Sequence, residues 1–247
     1  MSNQYGEEHG LKQPFFLKGV KQGIPVAIGY VPIAIAFGLL AKSLDIPNVV
    51  TLLMSLIIFA GASQFIGVNL IIAGVAYWEI LITTFILNLR HFFMTASLSQ
   101  RIPSSTSKKN LALLSFGVTD ETFSVASTQN ERELHPYYVL GLNMIAFFSW
   151  NIGTWIGVFL AVGLPQSIQN SMGIALFSMF IGLLLPALRK SKVISTIVCL
   201  AILISSVLHW IVPYFIELST GWCILITTVI SSAMGVILFP EEGAYHE

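Results

Sequence analysis

The chain has 247 residues, 55% apolar and 10% charged, where an ordinary soluble domain carries about a quarter charged. Its 12 basic and 12 acidic residues cancel, so no basic surface for nucleic acid is offered. Mean hydropathy is +0.81. Asp, Glu, Lys and Arg are missing from residues 22–41, 46–78, 134–188, 193–216 and 218–240. Each run can hold the about 20 apolar residues that cross a ~30 Å hydrocarbon core, and 134–188 can hold two such helices. They are continuous and Leu/Ile-rich rather than alternating, which excludes a membrane β-barrel.

In chain order, residues 1–22 are polar and basic, with Lys12, Lys18 and Lys21, and no signal-peptide core precedes them. Around Phe15, Phe16 and Leu17 they read as a short interfacial helix of a cytoplasmic N-terminal segment. A single transmembrane domain then spans residues 23–239, with a short tail over 240–247. Residues 23–41, 77–98, 138–160, 172–188, 193–212 and 221–239 read as six spans. Pro25 and Pro32 in the first of these admit either a harmless kink or a break that forms a site. Two further segments are ambiguous: 49–74 carries Gly61-Ala62-Ser63-Gln64 at its middle, and 111–128 carries Asp120-Glu121. The fold class is therefore an all-α polytopic membrane protein, six spans plus two broken or re-entrant helical segments.

Basic residues weigh two topologies. If both ambiguous segments cross, the inside holds Lys12, Lys18, Lys21, Arg132, Arg189, Lys190 and Lys192, and the outside Lys42, Arg101, Lys108 and Lys109. If both dip in and return, Arg101, Lys108 and Lys109 move inside and only Lys42 stays out, which charge favours. The two segments share a spacing: Phe59 precedes Gln64 by five positions, and Phe116 precedes Glu121 by five. A Leu-Asn-apolar triplet follows each, Leu87-Asn88-Leu89 and Leu142-Asn143-Met144. Transporters build binding sites from discontinuous helices in corresponding halves, although two short matches do not by themselves establish a repeat.

Ionisable groups in hydrocarbon cost several kcal/mol, so each asks for a reason. Asp120 and Glu121 lie ten residues into an uncharged stretch; they read as proton- or substrate-binding carboxylates, or as acids of an interfacial loop facing water. Arg90 lies about 12 Å short of the Leu98 end of its span, within reach of the headgroups if it snorkels. Buried, it needs a carboxylate, and Asp120 or Glu121 is the available one. Asn88 and His91 share a face three positions apart. Ser63 and Gln64 serve close packing, or face a substrate where the helix unwinds. Asn143 and Asn151, eight apart on one face, serve as interhelical glue or line a cavity. Glu79 reads as interfacial beside Tyr77 and Trp78. Cys199 and Cys223 lie in apolar runs with no metal spacing, and no metal is expected.

Nucleotide-binding signatures are missing, so no cofactor is expected and ATP-driven transport by this chain is excluded. Neither HExxH nor GxSxG occurs, against an intramembrane enzyme. A passive pore for small solutes remains the alternative to a transporter.

At its polar positions the sequence resembles the AzlC family of azaleucine-resistance and branched-chain amino acid export proteins. The resemblance runs through Phe59-Ala60-Gly61-Ala62-Ser63-Gln64-Phe65, then Leu87-Asn88-Leu89-Arg90-His91-Phe92-Phe93-Met94, then Thr119-Asp120-Glu121-Thr122-Phe123, and includes Gly153-Thr154-Trp155-Ile156-Gly157. It covers roughly residues 19–238. It implies a secondary exporter of leucine, isoleucine, valine and related hydrophobic amino acids, multi-pass in the bacterial cytoplasmic membrane, working with a small membrane subunit of the AzlD type.

Overall fold

The computed structural model describes residues 3–160, 165, 178, 181–182, 184–185, 188–189, 191–216 and 218–240, with side chains from Gln13 onward. These residues form helices and connecting turns, with no strand among them. Five helical stretches are long and apolar enough to cross a membrane: Gln13–Ser43, Tyr77–Ser99, Pro136–Leu160, Lys192–Tyr214 and Thr220–Leu238. The protein is thus a multi-pass helical membrane protein, with five of the six expected spans in view. The sixth, at 172–188, lies largely outside the described residues, as do 241–247 of the tail.

The first span is the apolar part of one helix, α1 (Asn3–Ser43), which continues through Pro14, Pro25 and Pro32. Pro25 and Pro32 lie on its exposed side with Ile28 and Gly29, so the prolines break nothing. Residues 49–74 do break. Helix α2 (Asn48–Leu53) loosens into a π-helical turn over Met54–Ile58, and α3 (Gly61–Ile72) starts afresh after Phe59 and Ala60. Phe59 takes the left-handed conformation, φ 45° and ψ 45°, which costs a bulky residue about 1–2 kcal/mol. After α4 (Tyr77–Ser99), residues 111–128 break likewise into α5 (Lys108–Phe116) and α6 (Asp120–Ser127), separated by Gly117, Val118 and Thr119. Then follow α7 (Pro136–Leu160), α8 (Lys192–Trp210) and α9 (Thr220–Leu238).

The chain divides into two units, one of Met1–Phe65 with Asn88–Leu176 and one of Ile66–Leu87 with Phe177–Glu247. In the first unit α1 and α7 run side by side in the same direction. Gly19 lies against Tyr138 and Leu142, and Gly38 against Thr154, Gly157 and Val158. Small residues four apart let backbones approach closely, and here a Cβ on Gly157 would overlap the Ile35 carbonyl.

The two broken segments lean on α7 from opposite ends. Ser55 of the first bonds Thr154, while Phe59 packs on Phe147, nearer the middle of α7. The chain then turns back, since Gln64 Nε2 reaches Ser55 Oγ at 2.8 Å, a closure that nine residues of straight helix would forbid. The second segment enters beside Pro136 and Leu140, and Leu114 reaches Asn143. It returns through Ala126, which packs with Leu134, Tyr138 and Leu142. Both are re-entrant hairpins, and their tips meet: Phe59 and Phe116 lie 6.2 Å apart, with Phe147 5.2 and 5.9 Å from them.

Arg101 closes the second hairpin at the end where it entered, donating to the carbonyls of Ala126, Ser127, Gln129 and Glu131. The same end carries Phe15 stacked on His135 and Lys18 bonded to Glu131 at 2.6 Å. That hydrogen bond from the Lys18 ammonium holds the Glu131 carboxyl below its ordinary range.

In the second unit Gly235 lies on the Ile197 side chain, and Trp78 meets Trp222 at 5.7 Å. Glu79, which the sequence places near the span end beside Tyr77 and Trp78, is 4% exposed and bonded by the Ser219 hydroxyl. It sits at the first turns of both α4 and α9, where two helix dipoles favour an anion, and Gly221 leaves room for its carboxylate.

Two outcomes test this fold. Gly157→Ala should lower stability in detergent by about 1–3 kcal/mol through overpacking. Gly29→Ala, whose Cβ would meet nothing within 4 Å, should hold or raise it, which melting curves of the two variants compare. By the positive-inside rule, the basic residues Lys18, Arg101, Lys108, Lys109 and Arg132 around the His135 end predict that this end is cytoplasmic. A cysteine at Ser105, with Cys199 and Cys223 replaced, should then resist an impermeant thiol reagent on intact cells. Labelling before permeabilisation would overturn the re-entrant arrangement of the second hairpin.

Candidate substrate site

Where the tips meet, both hairpins begin a new helix, α3 at Gly61 and α6 at Asp120. The start of α6 is built by a reciprocal cap: Thr119 Oγ1 accepts from the Thr122 N–H at 3.3 Å, and Thr122 Oγ1 from the Thr119 N–H at 2.8 Å. Asp120 and Glu121 fill its first turn, where the positive end of the helix dipole favours acids. They are therefore at the hairpin tip, not in a loop at the surface.

Asp120 Oδ2 lies 2.7 Å from Arg90 Nη1 of α4, both side chains about one third exposed (33% for Arg90, 34% for Asp120). Two residues earlier on α4, Asn88 Oδ1 accepts from Ser63 Oγ at 2.8 Å. One segment of α4 thus holds both hairpins, Asn88 the first and Arg90 the second. His91, next to Arg90 on α4, is half-buried.

Glu121 turns to α1 instead. The Tyr30 hydroxyl lies 2.5 Å from Glu121 Oε2 and 2.6 Å from Thr119 Oγ1. The phenol's one proton thus has two acceptors within reach, the Glu121 carboxylate and Thr119 Oγ1. Its ring meets Phe59 edge-on at 6.4 Å and Trp150 at 5.4 Å.

Gln64 is fully buried and both ends of its amide are used: Nε2 donates to Ser55 Oγ, and Oε1 accepts from Trp150 Nε1 at 3.0 Å. Ser55 in turn pairs with Thr154 at 2.8 Å. Asn143 donates to the Leu114 carbonyl at 2.9 Å, and Gly117 packs against its side chain. Both amides hold hairpins in place. Asn151 donates to Phe147 O on its own helix, and its Oδ1 is buried without a partner among the described residues.

Of the residues singled out from the sequence, Ser63, Gln64, Asn88, Arg90, Asp120, Glu121 and Asn143 all lie at or beside the meeting tips; His91 adjoins them and Asn151 stands apart. Tyr30, Thr119, Ser55 and Thr154 complete the network and went unmarked, because a Tyr or Thr in an apolar run carries no charge cost to flag it. The spacing shared by the two ambiguous segments is structural. Phe59 and Phe116 are the two tips, Gln64 and Glu121 lie in the new helices beyond them, and Asn88 and Asn143 each bond the preceding hairpin.

The ion pair yields a test. Removing one member of this partly exposed pair takes a charged partner from the other, at a cost below the about 3–5 kcal/mol of a fully buried pair. Arg90→Leu and Asp120→Asn should each reduce the amount of folded protein in the membrane, and the double replacement should restore much of it. A loss in the double variant equal to the sum of the two single losses, measured by quantitative blotting of membranes, would show that the pair contributes no coupling.

Comparison with known proteins matches the family model described as AzlC protein to residues 25–164, a stretch containing every site residue named above. The chain is 33% identical over 183 residues to the inner membrane protein YgaZ of Escherichia coli K12, covering 72% of this chain and 75% of that protein. An uncharacterized membrane protein of Archaeoglobus fulgidus is 34% identical over 187 residues, covering 74% and 80%. The branched-chain amino acid transport protein AzlC of Bacillus subtilis 168 is 31% identical over 139 residues, covering 54% and 53%. No solved structure matches.

Proposed function

The chain belongs to the AzlC family, and from that premise we propose that it is a secondary exporter of leucine, isoleucine, valine and similar hydrophobic amino acids. Transport across a membrane is the common ground with its relatives; outward direction, the bacterial cytoplasmic membrane as its site and an AzlD-type small membrane subunit as its partner belong to this reading. One observation carries the substrate class: the Arg90–Asp120 ion pair lies where two re-entrant hairpins meet beside apolar rings.

A zwitterionic amino acid can replace that pair's own contacts without changing the charge of the site. Its carboxylate takes the Arg90 guanidinium, aided by the positive end of α3, and its ammonium takes the Asp120 carboxylate. Phe116 and Phe147 offer apolar surface for the side chain. One methylene is worth only about 1–3 kcal/mol in such a pocket, so several hydrophobic amino acids are accepted. The packed tips, with Phe59 only 3% exposed, count against a standing pore. Binding and conformational exchange suffice for this function, with no catalytic chemistry and no metal or cofactor.

The measurement is leucine and valine efflux from loaded cells expressing the chain with and without its small subunit. Efflux above that of empty cells is expected when both are present. Efflux equal to that of empty cells under both conditions overturns the reading.

A further inference from the structure

Two adjacent acids at one hairpin tip keep different company, and resting on the transport reading above we propose that Glu121 is the proton-binding group of the cycle, with Tyr30 relaying its state to both hairpins. Asp120 faces a guanidinium at 2.7 Å. Protonating it would take from Arg90 the anion it holds at 2.7 Å, a contact that itself favours the ionised carboxylate. Glu121 faces a phenol at 2.5 Å. Protonating it removes a charge and strands none. The acid that can be neutralised and recharged once per cycle is therefore Glu121, while Asp120 stays with Arg90 or with the substrate.

The surroundings are consistent with that division. The charged or titratable groups near the tip are Arg90 and His91 from α4, Tyr30 from α1, and Asp120 itself. Among the described residues, the rings that Tyr30 meets on α7 and the first hairpin are the neutral Trp150 and Phe59. Gln64, which occupies the corresponding place in the first hairpin, is an amide with no proton to exchange and both ends committed.

The step is a single protonation. A proton taken from water on one side forms an O–H bond on the Glu121 carboxylate and later leaves to the other side; Tyr30 keeps its own proton throughout. With Glu121 ionised, the phenol must donate to it. With Glu121 protonated, the acid can donate to the phenol oxygen, and the phenol proton turns to Thr119 Oγ1, already 2.6 Å away. Tyr30 is 5% exposed, with its hydroxyl on the second hairpin and its ring on the tip of the first, so reversing this bond alters the grip on both.

The test uses the full-length protein, with its small subunit where efflux requires it, in liposomes with leucine as probe. Leucine–leucine exchange is measured at equal pH on both sides, and leucine accumulation under an imposed pH gradient. Wild type should show both. Glu121→Gln should lose gradient-driven accumulation and keep exchange, with the pH dependence of exchange abolished. Asp120→Asn should lose both. Tyr30→Phe should keep exchange and displace the pH profile of accumulation. Wild-type accumulation in Glu121→Gln overturns the proposal, and so does loss of exchange in a Glu121→Gln protein that elutes as folded. Should Glu121→Gln not fold, Tyr30→Phe decides, and an unmoved pH profile overturns the proposal. A wild type that exchanges leucine without responding to the gradient overturns it and leaves the transport reading standing. A wild type with neither activity overturns the transport reading itself.

Discussion

The backbone contact between α1 and α7 is the constraint on which the first unit depends. Lipid gives two apolar helices no hydrophobic reason to associate, so their attraction comes from close packing. Glycines on both helices supply it: Gly19 and Gly38 on one, Gly141, Gly153 and Gly157 on the other. With the two axes held this close, α7 becomes a rail against which hairpins can dock from either end. Trp150, Thr154 and Asn143 then present polar atoms at successive levels of that rail.

Breaking a helix inside a membrane exposes backbone groups that hydrocarbon cannot satisfy, which is tolerated only where protein or a wet cavity covers them. The two breaks meet this condition differently. At the second, Thr119 and Thr122 cap the new helix and Arg101 gathers the carbonyls at its far end. At the first, Gln64, Ser55 and Thr154 tie the two arms together, and Phe59 accepts a left-handed backbone to turn the chain. Strain at that residue persists because rings on three sides fix its position: Tyr30, Phe116 and Phe147.

Much of this was legible in the amino-acid order, for a reason that lies in charge. Asp120, Glu121 and Arg90 announce themselves because an ion in hydrocarbon is expensive, and the basic residues at 101–109 point to a hairpin rather than a crossing. Gln64 was visible as polar, yet whether its amide faced a substrate or its neighbours depended on Trp150, 86 residues away. Tyr30 was silent, since one hydroxyl in an apolar helix looks like core until its partner is known. Glu79 was legible as an acid near a span end, but not the Ser219 and Gly221 that cover it, which come from far along the chain. Proximity in sequence reveals which residues are costly, whereas partners drawn from distant helices decide what they are for.

The two hairpins therefore share geometry but not chemistry. Each has a phenylalanine tip, a new helix beyond it and an asparagine latch in the following span. In the first, the polar residue one turn beyond the tip is an amide bonded at both ends and shut away from the surface. In the second, the same region carries two acids, one matched by a guanidinium and one by a phenol, each half-exposed. The scaffold brings the two tips together at Phe147, where a ligand could meet both. The difference in side chains makes one hairpin a fixed wall and the other the element whose partners can change. If the site works as proposed, that division lets a neutral zwitterion and a proton act on one hairpin tip without competing for the same carboxylate.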